Sequence, residues 1–231
     1  MITHGYSCCE YDCCMYYRVL DDGSLLLLTL YVDDMLIAVK SKSHILHLKK
    51  LLSMEFNMKD LGSAKKILGM EIHRDRKARK LWVTQKCYVE KVLERFSMLN
   101  ATPINTPLGA HFQLPSQLCP STEEDIEYIS RVPYVNTVGC LMYAMVCTRP
   151  YISHAVSMVS KYVENLGNKH WDAIKWIFHY LAGPTNIGIM FDSDGARVEV
   201  SGFVDSDYAR DLDSRRFTTG YIFTFYGGPI C

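Results

Sequence analysis

The composition of the 231-residue chain, 48% hydrophobic and 22% charged, excludes wholesale disorder and leaves room for one large domain or two small ones. The 25 basic residues balance the 25 acidic ones, so net charge gives no argument for a nucleic-acid partner and any basic surface must be local. The longest apolar run, Leu25–Tyr31, is far shorter than the roughly 20 residues of a membrane-spanning helix, so we expect no membrane partner.

The cysteines are numerous, and the first four are clustered. Nine cysteines, an odd number, without a secretory signal at the start favour free thiols in a reducing intracellular compartment. Cys8, Cys9, Cys13 and Cys14 form a double pair that suggests zinc. Their spacing is not C-x2-C, and no second Cys/His pair follows at knuckle distance. We therefore prefer burial on a strand or hairpin.

The first predicted elements are strands. Met15–Val19 and Leu25–Tyr31 are β-compatible runs around the turn signal DDG, which predicts a hairpin. The apolar pattern resumes at 35–39, so Asp33 and Asp34 are expected at a second tight turn. Adjacent carboxylates repel each other, and a divalent cation would neutralise that repulsion.

Helices and strands then alternate along the chain. Helical spacing follows an expected N-cap at Ser43 and continues to about residue 60. Further helices are predicted over 88–96, 135–147, 152–163 and 169–181, and further strands over 67–72, 81–84, 188–191, 197–204 and 218–225.

A linker is predicted between these two groups of elements. Four prolines and the acidic stretch 123–127 mark an irregular segment from about 101 to 133. At the other end of the chain, a β-meander of two or three strands would have an unpaired edge and little core. The last unit is therefore expected to be truncated.

Several ordered motifs resemble those of copia-type retrotransposon Pol polyproteins. YVDDMLIA, starting at Tyr31, resembles the signature of copia-type reverse transcriptases, and FNMKDLGSAKKILGMEIHRD resembles the stretch after it. VGCLMYAMVCTRPYISHAVSMVSKYVENLGNKHWDAIKWIFHYLAGP resembles the helical region before ribonuclease H. SGFVDSDYARDLDSRRFTTGYIFTFYGGPI resembles the opening of the ribonuclease H domain. The resemblance covers nearly the whole chain.

The resemblance implies an α+β fold with four parts. They are the C-terminal part of a reverse transcriptase palm and thumb (1–110), a linker (111–133), a helical connection (134–190) and a truncated ribonuclease H-like domain (191–231). The implied function is that of a fragment of an RNA-directed DNA polymerase, acting in the intact parent by two-metal phosphoryl transfer.

The resemblance also implies a set of metal ligands. Asp33 is the principal ligand of the polymerase box and Asp34 its weaker partner. Asp205 matches the first metal-binding aspartate of ribonuclease H. The implied cofactor in the parent enzyme is Mg²⁺ or Mn²⁺, because both favour hard oxygen ligands.

Nucleic-acid contacts are implied on two segments. Tyr31 and Val32 lie near the primer terminus, and Leu68, Gly69 and Met70 of the LGMEI motif match a primer-grip hairpin. The implied partners are an RNA or DNA primer-template and deoxynucleoside triphosphates.

A run of basic side chains follows the LGMEI motif. It allows two interpretations, a solvated turn or a set of phosphate contacts, and the sequence favours neither. Its members are Arg74, Arg76, Lys77, Arg79 and Lys80.

The chain is expected to be inactive by itself. A third palm carboxylate, the fingers and the later acidic residues of ribonuclease H have no counterpart in it. The alternatives are a non-catalytic nucleic-acid-binding remnant and a decayed element with no selected role. The expected location is the cytoplasm, with the parent element in a virus-like particle.

Overall fold

The structure is a computed structural model that describes residues 5–112, 114–115, 123–164, 166–183, 185–194, 198–207 and 218–230. The fold is α+β with three antiparallel sheets, which confirms the predicted fold class. The chain divides into two compact units, unit 1 (Met1–Leu68) and unit 2 (Gly69–Cys231). Among the described residues, no helix has both the length and the apolar composition needed to cross a membrane.

The elements follow one another along the chain with short connections. The described strands are β1 (Ser7–Cys8), β2 (Met15–Val19), β3 (Leu25–Tyr31), β4 (Asp34–Ala38), β5 (Lys66–Ile67), β6 (Met70–Asp75), β7 (Lys80–Thr84), β8 (Gly188–Asp192), β9 (Val200–Asp207), β10 (Thr218–Phe225) and β11 (Gly228–Pro229). The described helices are α1 (Lys42–Glu55), α2 (Lys86–Arg95), α3 (Glu123–Ser130), α4 (Tyr134–Thr148), α5 (Ser153–Ser160) and α6 (Asn168–Ala182), with a 3-10 turn at Pro150–Ile152.

Unit 1 is an antiparallel meander covered by one helix. Its sheet has the order β1-β2-β3-β4. Side chains alternate between the two faces of a strand, and Leu26 and Leu28 of β3 are therefore buried on the same face. Leu48 and Leu52 lie one turn apart on α1 and complete the same core. The core of unit 1 thus consists of one sheet face and one helix stripe.

Unit 2 has a helical core and two sheets. Side chains from α2, α4, α5 and α6 form one apolar cluster, in which Phe96 stacks on Phe178 with ring centroids 5.2 Å apart. The buried Tyr134 hydroxyl donates to the Val159 carbonyl oxygen at 2.8 Å, which ties α4 to α5. Strands β6, β7 and β8 pair in that order.

The last sheet, β9-β10-β11, lies beside β8. The Asp192 amide donates to the Tyr226 carbonyl oxygen at 2.9 Å. A Cβ on Gly228 would meet the Phe191 ring at 2.7 Å, so only glycine permits this close approach. By contrast, large apolar side chains of β9 and β10, such as Phe203, Val204 and Tyr221, are mostly exposed.

Three expected boundaries are wrong. Helix α1 begins at Lys42, so Ser43 is not its N-cap, and the hydroxyls of Ser41 and Ser43 lie 2.7 Å apart instead. The stretch 67–72 is not one strand, because Leu68 and Gly69 take φ values of +47° and +72° and turn the chain. The acidic stretch in the predicted linker forms α3, while residues 113 and 116–122 lie outside the described part.

Candidate metal and nucleic-acid site

The two adjacent aspartates lie at the tip of the β3–β4 hairpin, as predicted. The register pairs Tyr31 with Asp34, which leaves Val32 and Asp33 as a two-residue turn. Strand β4 starts at Asp34, one residue earlier than expected. Residues 31–34 are all exposed, and Val32 is the more exposed of the two apolar side chains at 81%, against 52% for Tyr31. The tip therefore presents two hard oxygen ligands to solvent, which suits a divalent cation.

Val32 holds an unfavourable backbone conformation at this tip. Its φ is +50°, a region that β-branched residues rarely adopt. A two-residue hairpin loop favours such a dihedral because it matches the twist of the flanking strands. Strain of this kind, about 1–3 kcal/mol for a residue, is concentrated at functional sites in proteins. The pairing of β3 with β4 thus imposes strain on the residue next to Asp33.

The predicted primer-grip residues lie at a second turn. Gly69 is left-handed, and a Cβ there would lie 3.9 Å from Tyr88 and 4.0 Å from Tyr143. Those two rings pack edge to face with centroids 5.1 Å apart, and the Tyr88 hydroxyl donates to the Cys140 carbonyl oxygen at 3.2 Å. Helices α2 and α4 therefore support the backbone at Gly69. Neither tyrosine was predicted as a site residue, since helical periodicity marked Tyr88 only as a core residue.

Glu71 is a further residue whose role the sequence did not reveal. Its carboxylate accepts hydrogen bonds from the Thr84 hydroxyl at 2.9 Å and from the Cys87 amide at 3.3 Å, in the first turn of α2. Burial acts to raise the pKa of Glu71, but the hydrogen bonds from Cys87 and Thr84 outweigh it and lower the pKa overall. A carboxylate at a helix N-terminus also interacts favourably with the helix dipole. Glu71 thereby fastens β6, which follows the Gly69 turn, to α2.

The basic run forms the turn between β6 and β7. Asp75 closes this turn, because its Oδ1 accepts hydrogen bonds from the amides of Lys77 at 2.8 Å and Ala78 at 3.0 Å. Lys80 pairs with Asp192 at 3.1 Å and is thus engaged within unit 2. The other basic side chains of the run are exposed: Arg74, Arg76, Lys77 and Arg79.

Asp205 lies on a strand, beside the partner that was expected. It pairs with Gly220 across β9 and β10, and it is exposed. Strand β9 continues to Asp207, so Asp205 is inside the strand rather than at its end. The predicted metal ligands are thus divided between the units, with Asp33 and Asp34 in unit 1 and Asp205 in unit 2.

Comparison with known proteins identifies the family. The family model described as reverse transcriptase (RNA-dependent DNA polymerase) matches residues 1–110. The retrovirus-related Pol polyprotein from transposon TNT 1-94 of Nicotiana tabacum is 50% identical over 219 residues, which is 95% of this chain. The chain belongs to the copia-type retrotransposon Pol family. Reverse transcriptases act on nucleic acids and nucleotides and generally use divalent metal ions.

Other relatives of this copia-type chain support the same assignment. The Pol polyprotein from transposon RE2 of Arabidopsis thaliana is 31% identical over 90% of the chain. An uncharacterized mitochondrial protein of Arabidopsis thaliana is 33% identical over 88% of the chain and 80% of its own length. The chain spans 16% of the tobacco polyprotein and 14% of the RE2 polyprotein. No solved structure matches it.

The strain at Val32 predicts that glycine is tolerated there. We expect Val32→Gly to leave the free energy of unfolding unchanged or to raise it by up to about 1 kcal/mol, because glycine adopts positive φ without a steric penalty. The measurement is urea unfolding followed by circular dichroism. The matched control is Val19→Gly on β2, where an ordinary strand residue 63% exposed is replaced. This control should lower the stability by about 0.5–1 kcal/mol. An equal loss of stability in both variants would contradict strain at Val32.

The contacts of Glu71 predict a pH-dependent loss of stability. Its lowered folded-state pKa means that the ionised carboxylate stabilises the fold above the unfolded-state pKa. That contribution disappears as the pH falls through the lower folded-state pKa. At neutral pH, Glu71→Gln should therefore lower the free energy of unfolding by about 1 kcal/mol, the size of a net hydrogen-bond contribution.

The pH profile of unfolding tests this prediction. The difference between Glu71→Gln and the unmodified chain should shrink as the pH falls below the carboxylate range. The control is Glu90→Gln, which removes an exposed pair with Lys86 at 3.8 Å and should change the stability by less than about 0.5 kcal/mol. A Glu71→Gln effect that does not vary with pH would mean that the charge of Glu71 contributes nothing.

Proposed function

We propose that this chain is the segment of a retrotransposon RNA-directed DNA polymerase in which Asp33 and Asp34 bind Mg²⁺ or Mn²⁺. The observation that carries the proposal is the position of the YVDD sequence at an exposed two-residue hairpin turn. When bound, such a cation supplies positive charge for phosphoryl transfer. Asp33 and Asp34 hold it at the tip, and the buried face of β3 keeps the tip in place.

Two further turns are proposed as contacts for the nucleic acid. In this proposal Tyr31 and Val32 lie against the primer terminus, and the backbone of Leu68, Gly69 and Met70 contacts the primer strand. The support of Gly69 by Tyr88 and Tyr143 favours a rigid contact surface rather than a flexible loop.

The exposed basic side chains of the β6–β7 turn are proposed to bind phosphates. Phosphate contacts position a protein on nucleic acid without reading its sequence, which a compact basic turn can do. The Asp75 hydrogen bonds keep the turn closed, so its positive charges are held together. This turn is also the observation that favours the second candidate function, a nucleic-acid-binding remnant without catalysis.

The remaining parts of the chain are assigned by resemblance. We assign 1–110 to the palm and thumb, 111–133 to the linker, 134–190 to the helical connection and 191–231 to the start of a ribonuclease H-like domain. Similarity to the tobacco polyprotein over 95% of the chain supports an assignment that extends beyond the polymerase match. The common core of α2 with α4, α5 and α6 implies that the thumb part and the connection fold together.

Asp205 is proposed as the first metal ligand of the ribonuclease H part. Its place inside the β9–β10 pair supports this role. One carboxylate alone binds Mg²⁺ weakly, because this cation keeps several waters and relies on further ligands and substrate phosphates.

We expect the chain by itself to bind a primer-template without extending it. The resemblance places two of the three polymerase carboxylates, Asp33 and Asp34, within residues 1–110, and groups that act as one unit lose activity together. Binding is measured by fluorescence anisotropy over a range of salt concentrations, and extension by labelled-primer electrophoresis with Mg²⁺ or Mn²⁺. Arg76→Gln/Lys77→Gln should weaken binding and reduce the log–log salt slope by about 1 for each phosphate that the variant no longer neutralises.

A control with the same charge change makes the experiment specific. Lys91→Gln/Lys169→Gln removes two exposed lysines from α2 and α6 and should keep the original slope. Equal weakening of binding in both double variants would contradict a phosphate site at the β6–β7 turn. Primer extension abolished in Asp33→Asn would contradict inactivity of the chain alone. Cutting of an RNA–DNA hybrid abolished in Asp205→Asn would do the same for the ribonuclease H part.

A further inference from the structure

The turn between β1 and β2 collects ligands of a different kind. The carboxylate of Asp12 and the thiols of Cys13 and Cys14 place one ligand atom each within 4.8 Å of one another. The Cys8 thiol lies beside them, 3.7 Å from the Cys13 carbonyl oxygen. Residues 8–14 are named the cysteine turn. None of its four cysteines is buried, which corrects the expectation that they pack inside a strand or hairpin.

Backbone hydrogen bonds hold the cysteine turn in shape. The Cys14 amide donates to the Asp12 carboxylate at 2.9 Å, and the Met15 amide donates to the Asp12 carbonyl oxygen at 3.0 Å. The Cys9 amide donates to the Met15 carbonyl oxygen at 2.8 Å and closes the hairpin. The side chains are therefore brought together by a defined turn.

The thiols contact one another directly. The pKa of Cys14 is raised, chiefly by a hydrogen bond with the Cys13 thiol and by the charge of that same neighbour, with smaller effects from Asp12 and Cys8. Without a cation, ionised thiols at this spacing repel each other and the Asp12 carboxylate. A bound cation would remove this repulsion.

We infer that the cysteine turn binds a borderline or soft divalent cation of the zinc class, through Cys13, Cys14 and Asp12, with Cys8 as the fourth ligand. Thiolates select Zn²⁺ and softer ions, whereas the paired carboxylates of Asp33 and Asp34 suit harder ions such as Mg²⁺. Tetrahedral zinc with bonds of about 2.3 Å to sulfur needs sulfur atoms roughly 3.8 Å apart. Ligand atoms already within 4.8 Å need to approach by about 1 Å at most.

The absence of C-x2-C spacing does not argue against this site. In a zinc knuckle the ligands on one loop are spaced along the sequence, whereas here the hairpin brings them together. The register pairs Cys8 with Tyr16, so Cys8 stands across the hairpin from the start of β2 and close to the turn that carries Cys13.

Cadmium titration of the reduced full chain, in the presence of excess Mg²⁺, tests the inference. We expect a thiolate-to-metal charge-transfer band that saturates at one Cd²⁺ per chain and disappears when Zn²⁺ is added. Cys13→Ser/Cys14→Ser should abolish this band. Cys87→Ser, which removes an exposed thiol from α2, should keep it with unchanged affinity. Asp33→Asn/Asp34→Asn should also keep it, because those oxygens belong to a different kind of site.

Two further measurements exclude trivial explanations. Circular dichroism should be the same for Cys13→Ser/Cys14→Ser and the unmodified chain, since neither side chain is buried. Asp12→Asn keeps an acceptor oxygen for the Cys14 amide, so it should keep the fold and the band but lower the affinity. A band that persists in Cys13→Ser/Cys14→Ser, a band that Mg²⁺ displaces, or no band in the unmodified chain would overturn the inference.

Discussion

The alternation of side chains along β3 is the constraint on which the rest of unit 1 depends. Leu26 and Leu28 face α1, and they are almost completely buried against Leu48 and Leu52. A slip of one residue would turn this apolar pair towards solvent, so burial specifies the register with both neighbouring strands. The same register leaves Val32 and Asp33 at the tip. Packing far from the aspartates thus determines where their carboxylates lie.

Unit 2 depends on an equivalent connection between a strand and a helix. Glu71 links β6 to the first turn of α2, and α2 contributes Val89, Val92 and Leu93 to the helical core. Arg149, completely buried at the end of α4, donates to the Thr185 carbonyl oxygen at 2.8 Å and to the Tyr151 hydroxyl. A buried guanidinium is tolerated only when its donors have acceptors. These polar contacts fix the ends of elements whose middles are held by apolar packing.

The sequence predicted the elements whose signal is periodic. The β3–β4 hairpin and the helices α2, α4 and α6 follow from apolar spacing, and the family follows from the ordered motifs. The turn at Leu68 and Gly69 was missed because leucine is an unusual residue for a positive φ, so nothing in the letters breaks the apolar run. Helix α3 was missed because its short acidic segment follows prolines that signal a loop.

The contacts of the candidate site were less predictable than its position. The residues Asp33, Asp34 and Asp205 were identified by motif, but Glu71, Tyr88 and Tyr143 act through neighbours that are distant in the sequence. Pairing between strands creates these neighbours, and a local pattern does not contain that information. The cysteine turn has the same origin, since its ligands converge across a hairpin rather than along a knuckle.

The two turns of unit 1 that carry metal-binding chemistry lie at the same end of the sheet. In the antiparallel order β1-β2-β3-β4, the connections after the first and third strands project from one end. The Leu30 amide confirms this arrangement, because it donates to the Cys14 carbonyl oxygen at 2.8 Å. Tyr31 and the aspartate turn follow directly after Leu30. A soft cation in the cysteine turn would therefore stiffen the strand that positions Asp33, while the difference between sulfur and oxygen ligands would keep the two cations in separate sites.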